Sequence, residues 1–321
     1  MTPILYLVIP CYNEEQVLPI TAPIFVGKLG ELIEKKEISE KSRVLFVNDG
    51  SSDSTWEIIE GFSREQTLIK GICLSRNMGH QNALLAGLMT AKDECDVTVS
   101  IDCDGQDDIN AVDKMIAEYK AGCDIVYGVR ESRKTDSFFK RHSAQFFYKL
   151  LNRLGAKTVY NHADYRLMSA RALNELEKFK EVNIYLRGMV PMVGFRSTCV
   201  TYDRTERLAG KSKYPLKKML KLAANGITNL SVKPIHLIFL IGIISVLLSL
   251  AGIIWSVVAY FLSSTVAGWS SIIAIICFFG GIQILCIGVI GEYIGKIYME
   301  TKARPRYIIS KKTDEITTEK K

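Results

Sequence analysis

Not one Asp, Glu, Lys or Arg occurs between Lys233 and Glu292, a gap of 58 residues in a chain of 321. That absence excludes a wholly soluble protein. Because a spanning helix needs about 20 apolar residues, the gap has room for two crossings and a short turn but not for a polytopic channel. Paired cysteines are lacking too: Cys11, Cys73, Cys95, Cys103, Cys123, Cys199, Cys277 and Cys286 are scattered, with no CxxC among them. This excludes the spacing of a zinc site or a disulfide scaffold and points to reduced thiols in the cytosol. The first residues lack a basic segment, and their apolar run stops at Pro10, so a first strand is expected there rather than a cleaved leader. No GxGxxG follows a strand, and Ala209-Gly210-Lys211-Ser212 has Thr205 where a phosphate loop needs glycine. A bound nucleotide then has to be held by carboxylates, a cation and basic side chains.

The charge that is present is placed unevenly. Net charge is +7, and much of the excess stands just before the uncharged gap, in Arg204, Arg207, Lys211, Lys213, Lys217, Lys218, Lys221 and Lys233, with Glu206 opposing them. Beside a membrane segment such a patch fits anionic headgroups or phosphate substrates, and nucleic acid is not expected. Leu208, Leu216, Met219, Leu220 and Ile227 give the same stretch an apolar side, as in an interfacial helix lying on membrane lipids. The first span is expected over 235–262, a turn over 263–268 and the second span over 269–291. Lys and Arg flank both outer ends and the turn is uncharged, which predicts a two-pass protein of the bacterial cell membrane with both termini cytoplasmic. Four segments result: a catalytic domain over 1–203, basic juxtamembrane helices over 204–233, a transmembrane hairpin over 234–295 and a basic tail over 296–321, expected to fray from Lys311.

Within the first segment, β-branched runs at 4–9, 44–48, 69–74, 97–101 and 125–129 alternate with amphipathic stretches at 14–36, 54–62, 79–91 and 109–121. That order predicts an α/β domain with a parallel sheet wrapped by helices. In open sheets of this kind ligands bind where strand carboxyl ends meet polar loops. Three such loops, at 10–15, 49–54 and 102–108, define one expected site.

The sharpest constellation is Asp102-Cys103-Asp104, which closes the fourth run. Residues two apart on extended chain point to one side, so both carboxylates can approach one hard cation, Mg²⁺ or Mn²⁺, shared with substrate phosphates. Asp107 or Asp108 is placed to cap the helix that follows. Asp49 follows a buried run and can accept from a ribose hydroxyl or a base N–H, whereas Asp53 suits the cap of the next helix.

Val8-Ile9-Pro10-Cys11-Tyr12-Asn13-Glu14-Glu15, Val47-Asn48-Asp49-Gly50-Ser51-Ser52-Asp53, Arg76-Asn77-Met78-Gly79, the Asp102/Asp104 pair and the stretch from Arg204 to Tyr214 together resemble family 2 glycosyltransferases of the GT-A fold. With two C-terminal spans the chain is similar to polyprenyl-phosphate glycosyltransferases, the group of GtrB-type bactoprenol glucosyltransferases and dolichol-phosphate mannose synthases, which implies a GT-A domain with a Rossmann-like mixed sheet. One departure is Gly105-Gln106-Asp107-Asp108-Ile109-Asn110 after Asp104, where the family often reads LQDPP. The resemblance implies a nucleobase pocket at Pro10, Tyr12 and Glu14, with Asp49 on the uridine and a divalent cation on Asp102 and Asp104. It also implies phosphate contacts from Arg204, Arg207 and Lys213, acceptor-phosphate contacts from Arg130 and Arg141, and an active-site acid in Asp164 that orients sugar or acceptor, with proton abstraction as the weaker option. Arg130, Asp104 and Asp164 are thus the expected catalytic set. The implied reaction moves one sugar, glucose before N-acetylglucosamine, from a UDP-sugar to polyprenyl phosphate for cell-envelope glycosylation; a homo-oligomer stays open. The alternative is a non-catalytic membrane-anchored scaffold or sensor that binds nucleotide sugar without turnover. Processive synthases share the early motifs but carry QxxRW, and no tryptophan here follows an arginine.

Overall fold

The computed structural model describes residues 2–130, 162–203, 233–261 and 269–314. Arg141, Arg204, Arg207, Lys213, the basic stretch from 204 to 232 and the turn between the expected spans lie outside the described residues.

Strand β1 (Leu5–Cys11) is buried at every position, because it lies inside the sheet with helices on both faces. Its side chains alternate: Leu5, Leu7 and Ile9 enter one core, Tyr6 and Val8 the other. Strands β2 (Arg43–Asn48) and β4 (Val97–Ser100) flank it in parallel, and β3 (Ile69–Leu74) extends the sheet beyond β2. Helices α1 (Leu18–Glu34), α2 (Thr55–Glu65) and α4 (Ala111–Lys120) cover the first face through Phe25, Leu29, Trp56, Ile59 and Met115. Helix α3 (His80–Ala91) covers the second. Gly87 lets it lie close, since a Cβ there would stand 2.4 Å from Val8 Cγ1.

These elements match the expected runs to within a few residues at their ends, as does β5 (Ile125–Arg130). The sheet is mixed, as the GT-A resemblance implies: β6 (His162–Ser169) inserts antiparallel between β4 and β5, and β7 (Ser197–Tyr202) adds outside β5. Strand β6 has no clean apolar alternation because two of its inward residues, Asp164 and Arg166, are a buried ion pair. Helices α5 (Ala170–Glu177) and α6 (Leu186–Met192) then add Leu173, Leu176 and Met189 to the second core.

The C-terminal stretch corrects one expectation. Lys311 and Lys312 do not fray: they belong to β8 (Ile309–Lys312), antiparallel to β3 at the sheet edge. Thr313 is buried behind them, its Oγ1 accepting the Gly71 N–H at 3.0 Å. The full strand order is β7-β5-β6-β4-β1-β2-β3-β8.

Two long apolar helices precede that strand, α7 (Lys233–Phe261) and α8 (Trp269–Thr301), the second running past the expected end of its span. Among the described residues one segment, Phe278–Thr301, is long and apolar enough to cross a membrane. Both helices expose large apolar side chains, including Leu247, Leu248 and Trp255 on α7 and Ile284 and Leu285 on α8. Exposed apolar surface of that extent marks a lipid or partner interface.

Candidate active site

Antiparallel pairing builds the centre of the site. Ser100 at the end of β4 pairs with Arg166 on β6. The two chains then run on in opposite directions, which brings Asp102 and Asp164 to the same rim. Ser100 Oγ fastens the junction, donating to the Asp164 carbonyl at 2.5 Å. His80, the first residue of α3, closes the group: its Nε2 lies 3.7 Å from Asp102 Oδ1 and 3.6 Å from Asp164 Oδ2.

Asp164 is held from four directions. Arg166 Nη2 donates to its Oδ1 at 2.8 Å. Arg187, on α6, forks onto the same carboxylate through Nε at 3.2 Å and Nη2 at 3.1 Å, and Gln81 Nε2 donates at 3.3 Å. Burial pushes the Asp164 carboxyl up, but Arg187, the hydrogen bond with His80 and Arg166 outweigh it and hold the group well below the usual carboxylate range. A carboxylate so stabilised is a weak proton acceptor. The reverse holds at His80. Burial lowers its pKa, yet the hydrogen bond to Asp164 and the charges of Asp102 and Asp164 prevail and push it up to about 8. With no cation on Asp102, that shift favours the protonated imidazole at neutral pH.

The loop after β4 carries Asp102 and Asp104. Asp104 Oδ1 accepts the Gln106 N–H at 3.1 Å, which turns the chain. Burial raises the Asp102 pKa; His80 opposes this, and the charges of Asp107, Asp164 and Asp104 add to it. Asp107 has a second oxygen that is buried and without a hydrogen-bond partner. Hard carboxylate oxygens two residues apart on one loop fit a divalent cation. Among the described residues no three His, Cys, Asp or Glu side chains close around one point. Asp102 and Asp104 are the residues of this loop that could hold such a cation.

Asp107 does not cap the helix that follows; Asp108 turns the chain there, its Oδ1 accepting the Asn110 N–H at 3.0 Å. Asp107 instead accepts from Arg130 Nη2 at 3.1 Å and from the Tyr202 hydroxyl at 2.7 Å, while Arg130 Nε donates to that hydroxyl at 3.1 Å. Burial lowers the Arg130 pKa, but Asp107 and Tyr202 raise it above its ordinary value, so its charge is permanent.

The third group lies at the ends of β1 and β2. Pro10 is inside β1, opposite Val47. Tyr12 is 40% exposed, and the loop from Asn13 to Glu15 is tied to the β2 loop through Ser51 Oγ, Thr55 Oγ1 and Asp53 Oδ2, which accept the N–H groups of Asn13, Glu14 and Glu15. Asp53 also accepts the Thr55 N–H at 3.1 Å, which turns the chain into α2, although the N-cap residue itself is Ser54. Buried Asp49 accepts the backbone N–H groups of Met78 and Gly79 at 2.7 and 3.0 Å. It thereby fixes the entry to α3 and, through it, His80. Gly50 makes the junction possible: at φ +61° a Cβ would stand 2.4 Å from the Arg76 carbonyl carbon.

Sequence reasoning missed His80, Gln81, Tyr202 and Arg187. His80 had a signal, since it follows Arg76-Asn77-Met78-Gly79 at a strand-end helix start. Arg187 had none, because only the packing of α6 carries it to the rim.

The profile of glycosyl transferase family 2 matches residues 6–177. The chain is 52% identical over 307 residues to YkoT of Bacillus subtilis (strain 168), named an uncharacterized glycosyltransferase, covering 96% of this chain and 91% of that protein. YkcC of the same organism, also named an uncharacterized glycosyltransferase, is 43% identical, with 95% of this chain and 93% of that one aligned. The bactoprenol glucosyl transferase of Shigella phage SfX is 37% identical over 305 residues, 94% of this chain and 97% of that one. Its acidic rim at the carboxyl ends of β1, β2 and β4, and its likeness to these relatives over nearly their whole length, give one conclusion: the chain belongs to glycosyltransferase family 2 and is a glycosyltransferase of the GT-A fold.

Proposed function

We propose that the enzyme transfers a single sugar from a UDP-sugar to polyprenyl phosphate at the cytoplasmic face of a bacterial membrane, giving a lipid-phosphate-sugar for cell-envelope glycosylation. The observation that carries this reading is the juxtaposition of Asp102 with the His80–Asp164–Arg187 cluster. The acceptor follows from the relatives named bactoprenol glucosyl transferase, which align over the membrane helices as well as the catalytic domain. Glucose is the favoured sugar and N-acetylglucosamine the next.

A lipid monophosphate has a second pKa near 6, so its oxygen is largely ionised at neutral pH and can attack the anomeric carbon without a general base. An ionised, arginine-bound Asp164 is consistent with that: it orients groups and accepts no proton. The demanding event is departure of the nucleoside diphosphate. Mg²⁺ or Mn²⁺ on Asp102 and Asp104 would supply Lewis-acid stabilisation of that leaving group. The guanidinium of Arg187 adds positive charge at the same rim. Arg130, held by Asp107 and Tyr202, would bind the acceptor phosphate together with Arg141; Arg204, Arg207 and Lys213 would bind phosphate from the juxtamembrane stretch. Pro10, Tyr12 and Glu14 would line the base, with Asp49 near the uridine. One displacement inverts the anomeric centre. Helix α7, 29 residues long, would be the first membrane crossing and α8 the second.

The test is a panel of labelled UDP-sugars offered with undecaprenyl phosphate to membranes containing the protein. One sugar, glucose first, is expected in a lipid-linked product of inverted anomeric configuration. Retention of configuration would overturn the single displacement, and binding without turnover of any sugar would overturn the reaction.

A further inference from the structure

Helix α8 ends at the α5–α6 loop, and that contact is made by a carboxylate. Glu300, in the last turn of α8, accepts the Val182 N–H on both oxygens at 2.8 and 3.0 Å. It also accepts the Asn183 N–H at 2.9 Å and the Asn183 side-chain amide at 3.0 Å. A charged acceptor on two successive backbone N–H groups fixes a loop more firmly than apolar contact would. The chain leaving α8 adds a second tie, Arg306 Nη1 donating to the Phe179 carbonyl at 2.9 Å. The loop thus meets the end of the membrane helix at both Phe179 and Asn183.

From Asn183 the chain reaches the active site in four residues, a span of at most about 14 Å. Leu186 is gripped by active-site groups: its N–H donates to Gln81 Oε1 at 2.9 Å and its carbonyl accepts from Arg166 Nη1 at 3.3 Å. Arg187, next in sequence, forks onto Asp164. We propose that Glu300 is a positioning residue: by holding Val182 and Asn183 it sets the start of α6, so that Arg187 stays seated on Asp164 and the seating of the membrane helix is transmitted to the site. The proposal rests on the reading of Asp164 and Arg187 as part of the transfer site.

The experiment uses the full chain in lipid nanodiscs, as wild type, Glu300→Ala, Glu300→Gln, Arg187→Ala and Glu300→Ala with Arg187→Ala. Hydrogen exchange, read without any turnover, is expected to speed about tenfold over residues 182–187 in Glu300→Ala, leaving β1 to β4 unchanged. Glu300→Gln keeps one carbonyl acceptor and is expected to recover part of the protection. In the transfer assay Glu300→Ala is expected to lower kcat about tenfold, as small displacements of reacting groups do. In the Arg187→Ala background the same change is expected to cost less than about twofold, because the two residues act on one element. Unchanged exchange at 186–187, exchange rising across the whole sheet, or a full tenfold loss in the Arg187→Ala background would each overturn the proposal. If the wild type transfers no sugar, the proposed function fails, while the exchange arm still decides the role of Glu300.

Discussion

Two guanidinium groups on one buried carboxylate decide what Asp164 can do. The group stays ionised far into acid, so the stability it lends the fold is present at neutral pH and lost only as pH falls through its lowered pKa. His80 carries the opposite sign: its contribution is complete below its ordinary value of 6.5 and disappears as pH rises through about 8. Asp164→Asn removes its strongest partner, and in metal-free protein the His80 resonances are expected to titrate at lower pH; an unchanged midpoint in NMR would contradict the ion pairing. Gly50→Ala should drive the Arg76–Asn77 backbone away from Asp49 and destabilise the fold by about 1–3 kcal/mol in urea unfolding, since the added Cβ meets backbone at 2.4 Å. Asp49, Asp102 and Asp104 stand in ordered motifs of the sequence, and Asp164 was implied by the family resemblance. Their partners were not legible there: Arg187 lies 23 positions from Asp164, and no periodicity encodes which distant arginine neutralises which acid.

At the level of elements, apolar runs in the first half revealed the parallel strands, whose two-sided burial leaves nearly uninterrupted hydrophobic sequence. Strands β6 and β8 were hidden for different reasons. The first places charged residues inside, paired; the second is an edge strand whose lysines read as a solvated tail. Thr313 is what anchors that edge. Thr313→Val keeps the shape but leaves the Gly71 N–H without its acceptor, and a loss of about 1–3 kcal/mol is expected on unfolding in urea. No change would mean that β8 contributes little to the sheet. Loop 178–185 has no regular structure of its own, and its hydrogen bonds to Glu300 and Arg306 tie it to the exit of α8.

The whole molecule joins a two-faced catalytic sheet to a pair of apolar helices, and the chain returns from them to complete the sheet with β8. That return requires the residues before α7 and after α8 to share one side of any bilayer. A reporter fused after residue 265 is expected to be active on the outer side of the cell membrane and one fused after residue 321 on the inner side; activity on one side for both would eliminate the hairpin. Under the proposed function that arrangement would put catalysis on the membrane face where a polyprenyl phosphate presents its headgroup. The most direct measurement is transfer from labelled UDP-sugar to undecaprenyl phosphate by wild type, Asp102→Asn and Asp104→Asn, with EDTA and then with added Mn²⁺. The expected result is lipid-linked label that EDTA abolishes, Mn²⁺ restores, and each substitution lowers at least about a hundredfold. Transfer that persists in EDTA or survives both substitutions would contradict the role given to the two aspartates.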